Sequence, residues 1–382
     1  MKYNELGRTG LKVSEIGFGG EWLGSHTQEE CNAIINKLES SGVNILDCWM
    51  SSPYIRDVLG NALKGHRENW IIQGHVGATW QNGQYVRTRD MTKVIPAFED
   101  LLRRLKTDYI DIGMIHYVDD MNDWNNLHNN GFLDYMLDLK SKGVIRHIGM
   151  STHSPLMAKT AVEEGIVEML MFSVNPAFDF MPATSVLSDL YNAKNADRTL
   201  GSIDPKRYEL YRLCEEKGVG ITVMKPFAAG ALLNAYRSPF GTALTVIQCV
   251  HYALTVSGAA AVMAGLESVE QVDEILLYET ASDEEKNYEK VLANAPLHNS
   301  EKKCMYCGHC QPCPQEIDIA SVNRFYDLAV KEGRVTDELQ ESYDKLQKNA
   351  ADCMACGGCE KRCPFGVNVV ERMKHTKELF SK

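Results

Sequence analysis

Three neighbouring segments decide the fold: IDIGMIHYV at 110–118, FLDYMLDLKSKG at 132–143 and IRHIGMST at 145–152. They read as a short apolar strand, an amphipathic helix and a second apolar strand. The helix ends in Lys followed by Gly, a stop signal. Outward from this unit the pattern repeats. Earlier strand candidates are EIGFGG at 15–20, NILDC at 44–48 and WIIQGHV at 70–76. Later ones are MLMFSVN at 169–175, GITVMKP at 220–226 and AAVMAGL at 260–266. Helical patterns such as CNAIINKLESSG, IPAFEDLLRRLK and YRLCEEKG fall between them. Eight strands alternating with helices over about 250 residues predict an α/β fold, a (β/α)8 TIM barrel. A doubly wound open sheet is the competing fold, but no G-x-G-x-x-G follows the first strand. The segment YNELGRTGLKVS reads as a hairpin ahead of the barrel.

The chain has 382 residues, 44% of them hydrophobic, and a net charge of −11. That size fits one large domain with an appendage. The charge argues against nucleic acid as a partner. The opening MKYNELGRTG has no apolar core of signal-peptide type, and no run is long enough to span a membrane. A cytoplasmic protein without a membrane partner is therefore expected. The boundary is placed with the barrel at 1–283 and a linker helix plus tail domain at 284–382.

Eight of the twelve cysteines follow residue 303, in two runs that each end in Cys-Pro. One is Cys304, Cys307, Cys310 and Cys313; the other is Cys353, Cys356, Cys359 and Cys363. Three cysteines at i, i+3 and i+6 followed by Cys-Pro is the bacterial ferredoxin spacing for cubane clusters. Two [4Fe-4S] clusters are expected. In two-cluster ferredoxins the fourth cysteine ligates the other cluster. Cys304, Cys307, Cys310 and Cys363 are thus expected on one cluster, with Cys353, Cys356, Cys359 and Cys313 on the second. The first run has two residues before its last cysteine rather than three. Zinc ribbons need only two separated Cys-x-x-Cys pairs, and disulfides need an oxidising compartment. Two amphipathic segments between the runs, IDIASVNRFYDLAVKEG and TDELQESYDKLQKNA, predict a mainly helical ferredoxin-like domain.

The barrel segments LGRTGLKVSEIGFGG, DYIDIGMIH, LKSKGVIRHIGMS, VMKPFAAGALL and GLESVEQVDEIL stand in the order and place of aldo-keto reductase motifs. The chain resembles that superfamily, in the branch with a C-terminal dicluster ferredoxin domain. The resemblance implies hydride transfer between NAD(P)H and a carbonyl. It also implies a tetrad of Asp, Tyr, Lys and His at the strand ends. Asp47 and His116 match the Asp and His. The Lys position falls on His75 and the Tyr position on Ser52, with Tyr54 two residues further as a substitute. The resemblance places cofactor contacts at Ser151, Thr152, Asn175, Lys225, Gly230, Gly265, Ser268 and Gln271. The family's nicotinamide-holding Gln falls near Met171. Gln271 stands where a basic residue would meet a 2′-phosphate, and no Lys or Arg lies between 262 and 276.

Three readings of Asp47, His75 and His116 stay open: acid–base groups, a facial metal site, or hydrogen-bonded residues of a retired pocket. Trp49 and Tyr117 either line the pocket or pack. His147 is expected to pack or hydrogen-bond, and His153 to cap the next helix or face the pocket. Alternation turns Cys48 away from Asp47, as a core thiol. The departures from the tetrad favour an iron–sulfur oxidoreductase acting on a small-molecule substrate. In that reading a ferredoxin or flavodoxin donor feeds single electrons through the clusters. The alternatives are an NAD(P)H-dependent carbonyl/alcohol oxidoreductase with structural clusters, and a non-catalytic relay or redox sensor.

Overall fold

The computed structural model describes residues 1–182, 201–296, 302–306 and 308–381; Cys307 lies outside them. Eight parallel strands form a closed barrel. In chain order they are β1 (Ile16–Gly19), β2 (Ile45–Cys48), β3 (Ile71–Val76) and β4 (Ile110–Ile115). β5 (Ile145–Thr152), β6 (Met169–Ser173), β7 (Gly220–Met224) and β8 (Ala259–Gly265) follow. Each pairs with its sequence neighbour, and β8 closes on β1 through pairs such as Val262 with Ile16. Every expected strand is present within two residues of its place, save that the one expected at 110–118 ends three residues earlier, at Ile115. The N-terminal hairpin also forms, Tyr3–Glu5 against Lys12–Ser14. Its Leu6 and Val13 are fully buried beside Ile112 and Met169, sealing the end where the strands begin.

One element was not anticipated. A second hairpin, Ala78–Gln81 against Gln84–Arg87, follows β3. Its turn residues Asn82 and Gly83 have φ of 52° and 77°. Asn-Gly with both angles positive is the tight turn that matches strand twist.

The cysteine runs lie in a helical tail, as expected. Helix Ile319–Glu332 packs on helix Val369–Leu379, with Arg372 2.6 Å from Asp327. The tail rests on the barrel's outer helix Pro205–Lys217. Tyr306, between the first two cysteines, packs on Tyr208 with centroids 4.6 Å apart. Lys331 pairs with Asp204 at 3.1 Å and Arg324 with Glu209 at 3.5 Å. The segment read as a linker packs on the barrel: Tyr288 is buried and meets Tyr252 edge-on at 5.0 Å. No helix among the described residues is long and apolar enough to cross a membrane.

Helices Pro53–Ala62 and Met91–Leu105 cover β2 and β3 and approach closely at Gly60. A Cβ there would lie 2.0 Å from the carbonyl oxygen of Arg104. Gly60→Ala is expected to cost about 1–3 kcal/mol through overpacking. Urea unfolding followed by circular dichroism checks this; an unchanged midpoint would show that the helices yield.

Candidate functional site

Parallel closure gathers all eight strand ends at one rim, and a cavity of about 710 Å³ opens there. Asp47 is contributed by β2, His75 by β3, and His116 by the residue after β4. The three side chains form one chain of contacts. Nε2 of His75 is 2.9 Å from Oδ1 of Asp47. Nδ1 of His75 is 2.7 Å from Nδ1 of His116. Nε2 of His116 is 2.6 Å from the hydroxyl of Tyr85. The amide of Gln73 also donates to Asp47 Oδ1, at 3.0 Å. Asp47 is fully buried, whereas His75, His116 and Tyr85 line the cavity.

Tyr85 comes from the unanticipated hairpin. Two arginines clamp that hairpin to the loop holding His116. Arg87 donates to the carbonyl of Tyr117 at 2.7 Å and pairs with Asp123 at 3.0 Å. Arg89 donates to the carbonyl of His116 at 2.7 Å and pairs with Asp123 at 2.7 Å. Trp49 lies nearly parallel to His116, 5.9 Å between centroids, and meets Tyr85 edge-on at 5.3 Å. Its indole donates to Glu21 at 2.6 Å. Tyr54 does not substitute at the site. It is 45% exposed, and its hydroxyl donates to the carbonyl of His26. The helix starting at Pro53 carries it outward, and Tyr85 takes the place beside His116. The Asn82-Gly83 turn between alternating residues was the sequence signal for this hairpin.

The contacts decide the tautomers. Asp47 Oδ1 accepts from Gln73 and from His75 Nε2–H. Where His75 carries its proton on Nε2, its Nδ1 accepts and His116 donates Nδ1–H to it. His116 Nε2 is left to accept from Tyr85. Burial holds His116 well below the usual histidine range, and the neighbouring His75, Arg89 and Arg87 add to the effect. It is therefore neutral at pH 7. Burial pushes the Tyr85 hydroxyl up, against the pull of Arg87 and Arg89. The ring nitrogens of His75 and His116, 2.7 Å apart, bond to each other in this arrangement. Among the described residues no group of three or more His, Cys, Asp or Glu is placed to share one metal ion.

Of the expected cofactor residues, Ser151, Lys225, Gly230, Gly265 and Gln271 line the cavity. The other three have local roles. Thr152 donates to Asp119 at 2.9 Å. Asn175 caps helix Pro176–Asp179 and holds the carbonyl of Lys225 at 2.8 Å. Ser268 caps helix Val269–Leu276. Lys225, Ala228 and Ala229 have φ of 57°, 48° and 53°. Such angles strain a non-glycine residue and cluster at functional sites. Among the described residues, Glu21, Glu267 and Glu274 line the cavity against one ammonium, that of Lys225, which burial pushes down. Met171, Met224 and Met263 supply an apolar wall. His147 lies outside, paired with Glu168 at 2.9 Å. Cys48 is a buried thiol pushed up to about 12 by burial.

In the tail, Cys313 from the first run and Cys353, Cys356 and Cys359 from the second line one small cavity. Burial, with the nearby Cys359 and Cys363, pushes Cys310 up to about 11. Arg362 ties the runs together, donating to the carbonyls of Cys310 and Pro312 at 2.7 and 2.8 Å. These soft sulfur donors fit iron–sulfur ligation, which deprotonates its thiols on binding.

Known proteins place the chain. The pattern of the aldo/keto reductase family matches residues 15–246, and that of a 4Fe-4S dicluster domain matches 300–367. An uncharacterized oxidoreductase of Bacillus subtilis, YqkF, is 28% identical over 190 residues, covering 48% of this chain and 58% of that protein. The chain thus spans only a little over half the length of YqkF. L-galactose dehydrogenase of Arabidopsis thaliana is 25% identical over 311 residues, covering 72% of this chain and 86% of that protein. Among solved structures, the holo form of the aldo-keto reductase AKR11C1 from Bacillus halodurans superposes with a TM-score of 0.59 at 25% identity. It covers 78% of this chain and 98% of that one. With a family match over more than half of its residues, the chain belongs to the aldo/keto reductase family and carries a 4Fe-4S dicluster domain behind the barrel.

Proposed function

We propose that the protein is an oxidoreductase that interconverts a small alcohol and its carbonyl compound at the barrel mouth. The observation that carries this is the unbroken chain from Tyr85 through His116 and His75 to Asp47. In the oxidation direction Tyr85 takes the substrate's hydroxyl proton as its own passes to Nε2 of His116. Nδ1–H of His116 passes to His75, and Nε2–H of His75 passes to Asp47. Each group gains one proton and gives one, and the net acceptor is the buried carboxylate. The reverse shift protonates the oxygen of a carbonyl being reduced. His75 stands where the family keeps Lys, and it links Asp47 to His116 by hydrogen bonds. Positioned proton transfer of this kind contributes about 10²–10⁴ in rate.

A nicotinamide dinucleotide, when bound, supplies or takes the hydride. The rim with Ser151, Lys225, Gly230, Gly265 and Gln271 is the part of the cavity that suits it. An extra 2′-phosphate would face Glu267 and Glu274 without a cationic partner among the described residues, so NADH is favoured over NADPH. Cys304, Cys307, Cys310 and Cys363 would hold one cluster, and Cys313, Cys353, Cys356 and Cys359 the other. Bound clusters would handle electrons singly. The contact of Tyr306 with Tyr208 favours a second reading, in which single electrons reach the barrel from the tail. Departures at the Tyr, Lys and nicotinamide-clamp positions together made that reading the leading expectation from sequence; Tyr85, beside His116, answers only the first of them.

Tyr85→Phe is expected to lower kcat about 100-fold or more, and His116→Ala to act similarly, while Tyr54→Phe leaves turnover near wild type. Steady-state assays on protein with its clusters intact check this. Titration with NADH and NADPH, followed by nicotinamide fluorescence, is expected to show tighter NADH binding. Binding of neither, with substrate-dependent cluster oxidation, would favour the relay reading. Iron and sulfide analysis of an anaerobic preparation is expected to give about eight irons per chain, as two cubanes require. Cys313→Ala is expected to lose the cluster of the second run.

A further inference from the structure

The two cysteine runs meet different surroundings. In the first, Met305 and Tyr306 are buried, and Tyr306 packs on Tyr208 of the barrel. In the second, Met354 between Cys353 and Cys356 is 60% exposed. Cys356 is itself exposed, alone among the described ligand cysteines. Ala355 takes a φ of 57°, and its N–H donates to Sγ of Cys353 at 3.4 Å. The loop thus wraps its sulfur while Met354 stands out in solvent, its own sulfur accepting from the Gln315 amide at 3.5 Å. A cluster on the first run would lie against the barrel, and one on the second run just beneath the surface.

Charge also sets this end apart. Residues 301–382 hold 13 Lys or Arg and 13 Asp or Glu, so the net charge of −11 falls on the first 300 residues. Around the second run, residues 345–363 hold four basic side chains and two acidic ones. Both acidic groups are engaged, Asp352 with Lys348 at 3.2 Å and Glu360 with the backbone N–H of Val370 at 2.9 Å. Lys345 and Lys361 are exposed. An acidic protein is repelled by the barrel and drawn to this end, because charge patches steer encounter. A single exposed methionine flanked by charge suits a small, short-lived redox contact. The cavity under the loop holds no proton relay. Apart from its cysteines, Arg362 is the one ionisable residue lining it among the described residues, and a guanidinium keeps its proton. A flavin carrier moves a proton with its electron, whereas an iron–sulfur carrier moves the electron alone.

We propose that the loop Cys353–Cys359, with Met354 at its centre, is the docking face for a small acidic iron–sulfur carrier protein. One electron passes from the carrier's reduced centre to an iron held by the second run; no bond forms or breaks and no proton moves. The first run is then the inner station, facing the barrel. This rests on redox-active clusters, as in the second reading of the proposed function, and not on the hydride step.

The test mixes the full protein with its clusters, free of oxygen, with a reduced, acidic plant-type [2Fe–2S] ferredoxin in stopped flow. The second-order rate constant of cluster reduction is expected to fall about tenfold from low to high salt. At low salt Met354→Glu lowers it about tenfold or more. Leu137→Glu makes the same change at a 56% exposed site on the outer helix Phe132–Ser141 and leaves the rate near wild type. Lys361→Glu gives an independent variant, slowed at low salt and near wild type at high salt. Reduced methyl viologen, a small cation, reduces both tail variants no more slowly than wild type, and their iron content is unchanged, so a damaged cluster is not the cause. Unchanged ferredoxin rates in Met354→Glu and Lys361→Glu overturn the inference, and so does faster reduction by an acidic flavodoxin. If viologen reduces the clusters and ferredoxin does not, the docking inference fails and the reading of redox-active clusters stands. If neither reduces them, that reading fails and the inference falls with it.

Discussion

The pairing of β8 with β1 turns eight parallel strands into a closed wall, and everything at the site depends on that closure. Because all strands run the same way, residues far apart in the chain end at one rim. Asp47, His75, His116, Ser151 and Lys225 come from five different strand ends, yet four of them line one cavity and the fifth lies just behind it. The wall also sets spacing. Neighbouring strands place the Asp47, His75 and His116 side chains within hydrogen-bond reach of the next, so the contacts run around the barrel in strand order.

The hairpin after β3 completes that line. A tetrad tyrosine on the loop after β2 would have reached the rim from its own strand. Here the helix starting at Pro53 turns Tyr54 out to His26, and the hairpin brings Tyr85 in from the next loop. The exchange is held by ordinary forces. Arg87 and Arg89 bind the carbonyls of the loop holding His116, and both share Asp123. Replacing Lys by His75 alters the chemistry as well. An ammonium would lower the tyrosine pKa by its charge, whereas His75 joins Asp47 to His116 by hydrogen bonds.

The tail uses the outside of the barrel rather than its mouth. Its seat is helix Pro205–Lys217, where the Tyr306–Tyr208 contact is backed by ion pairs from Lys331 and Arg324. These partly exposed pairs add little stability each, but together they fix orientation. The aromatic contact supplies the apolar core of the seat.

Much of this was legible in the chain itself. The strand positions follow from apolar runs and Lys-Gly stops, because a parallel strand buried on both faces must be apolar throughout. The cysteine spacing named the cofactor, because a cubane needs thiolates at short regular intervals. Asp47, His75 and His116 were legible as a trio because the resemblance to aldo-keto reductases puts three tetrad positions on them. Tyr85 was not, although Asn82-Gly83 marks its turn, because a hairpin's local pattern does not say where its tip will dock. The role of His153 was undecided for a related reason: capping and lining are both compatible with its place after β5. Only the fold showed Ser154 taking the cap and Asp119 gripping Nδ1, with His153 among the residues that line the cavity. The sequence by itself determined the barrel and the two cysteine runs, since these rest on local periodicity and spacing. Tertiary structure decided which tyrosine stands beside His116 and that His153 lines the cavity, since both depend on contacts between loops that the sequence keeps apart.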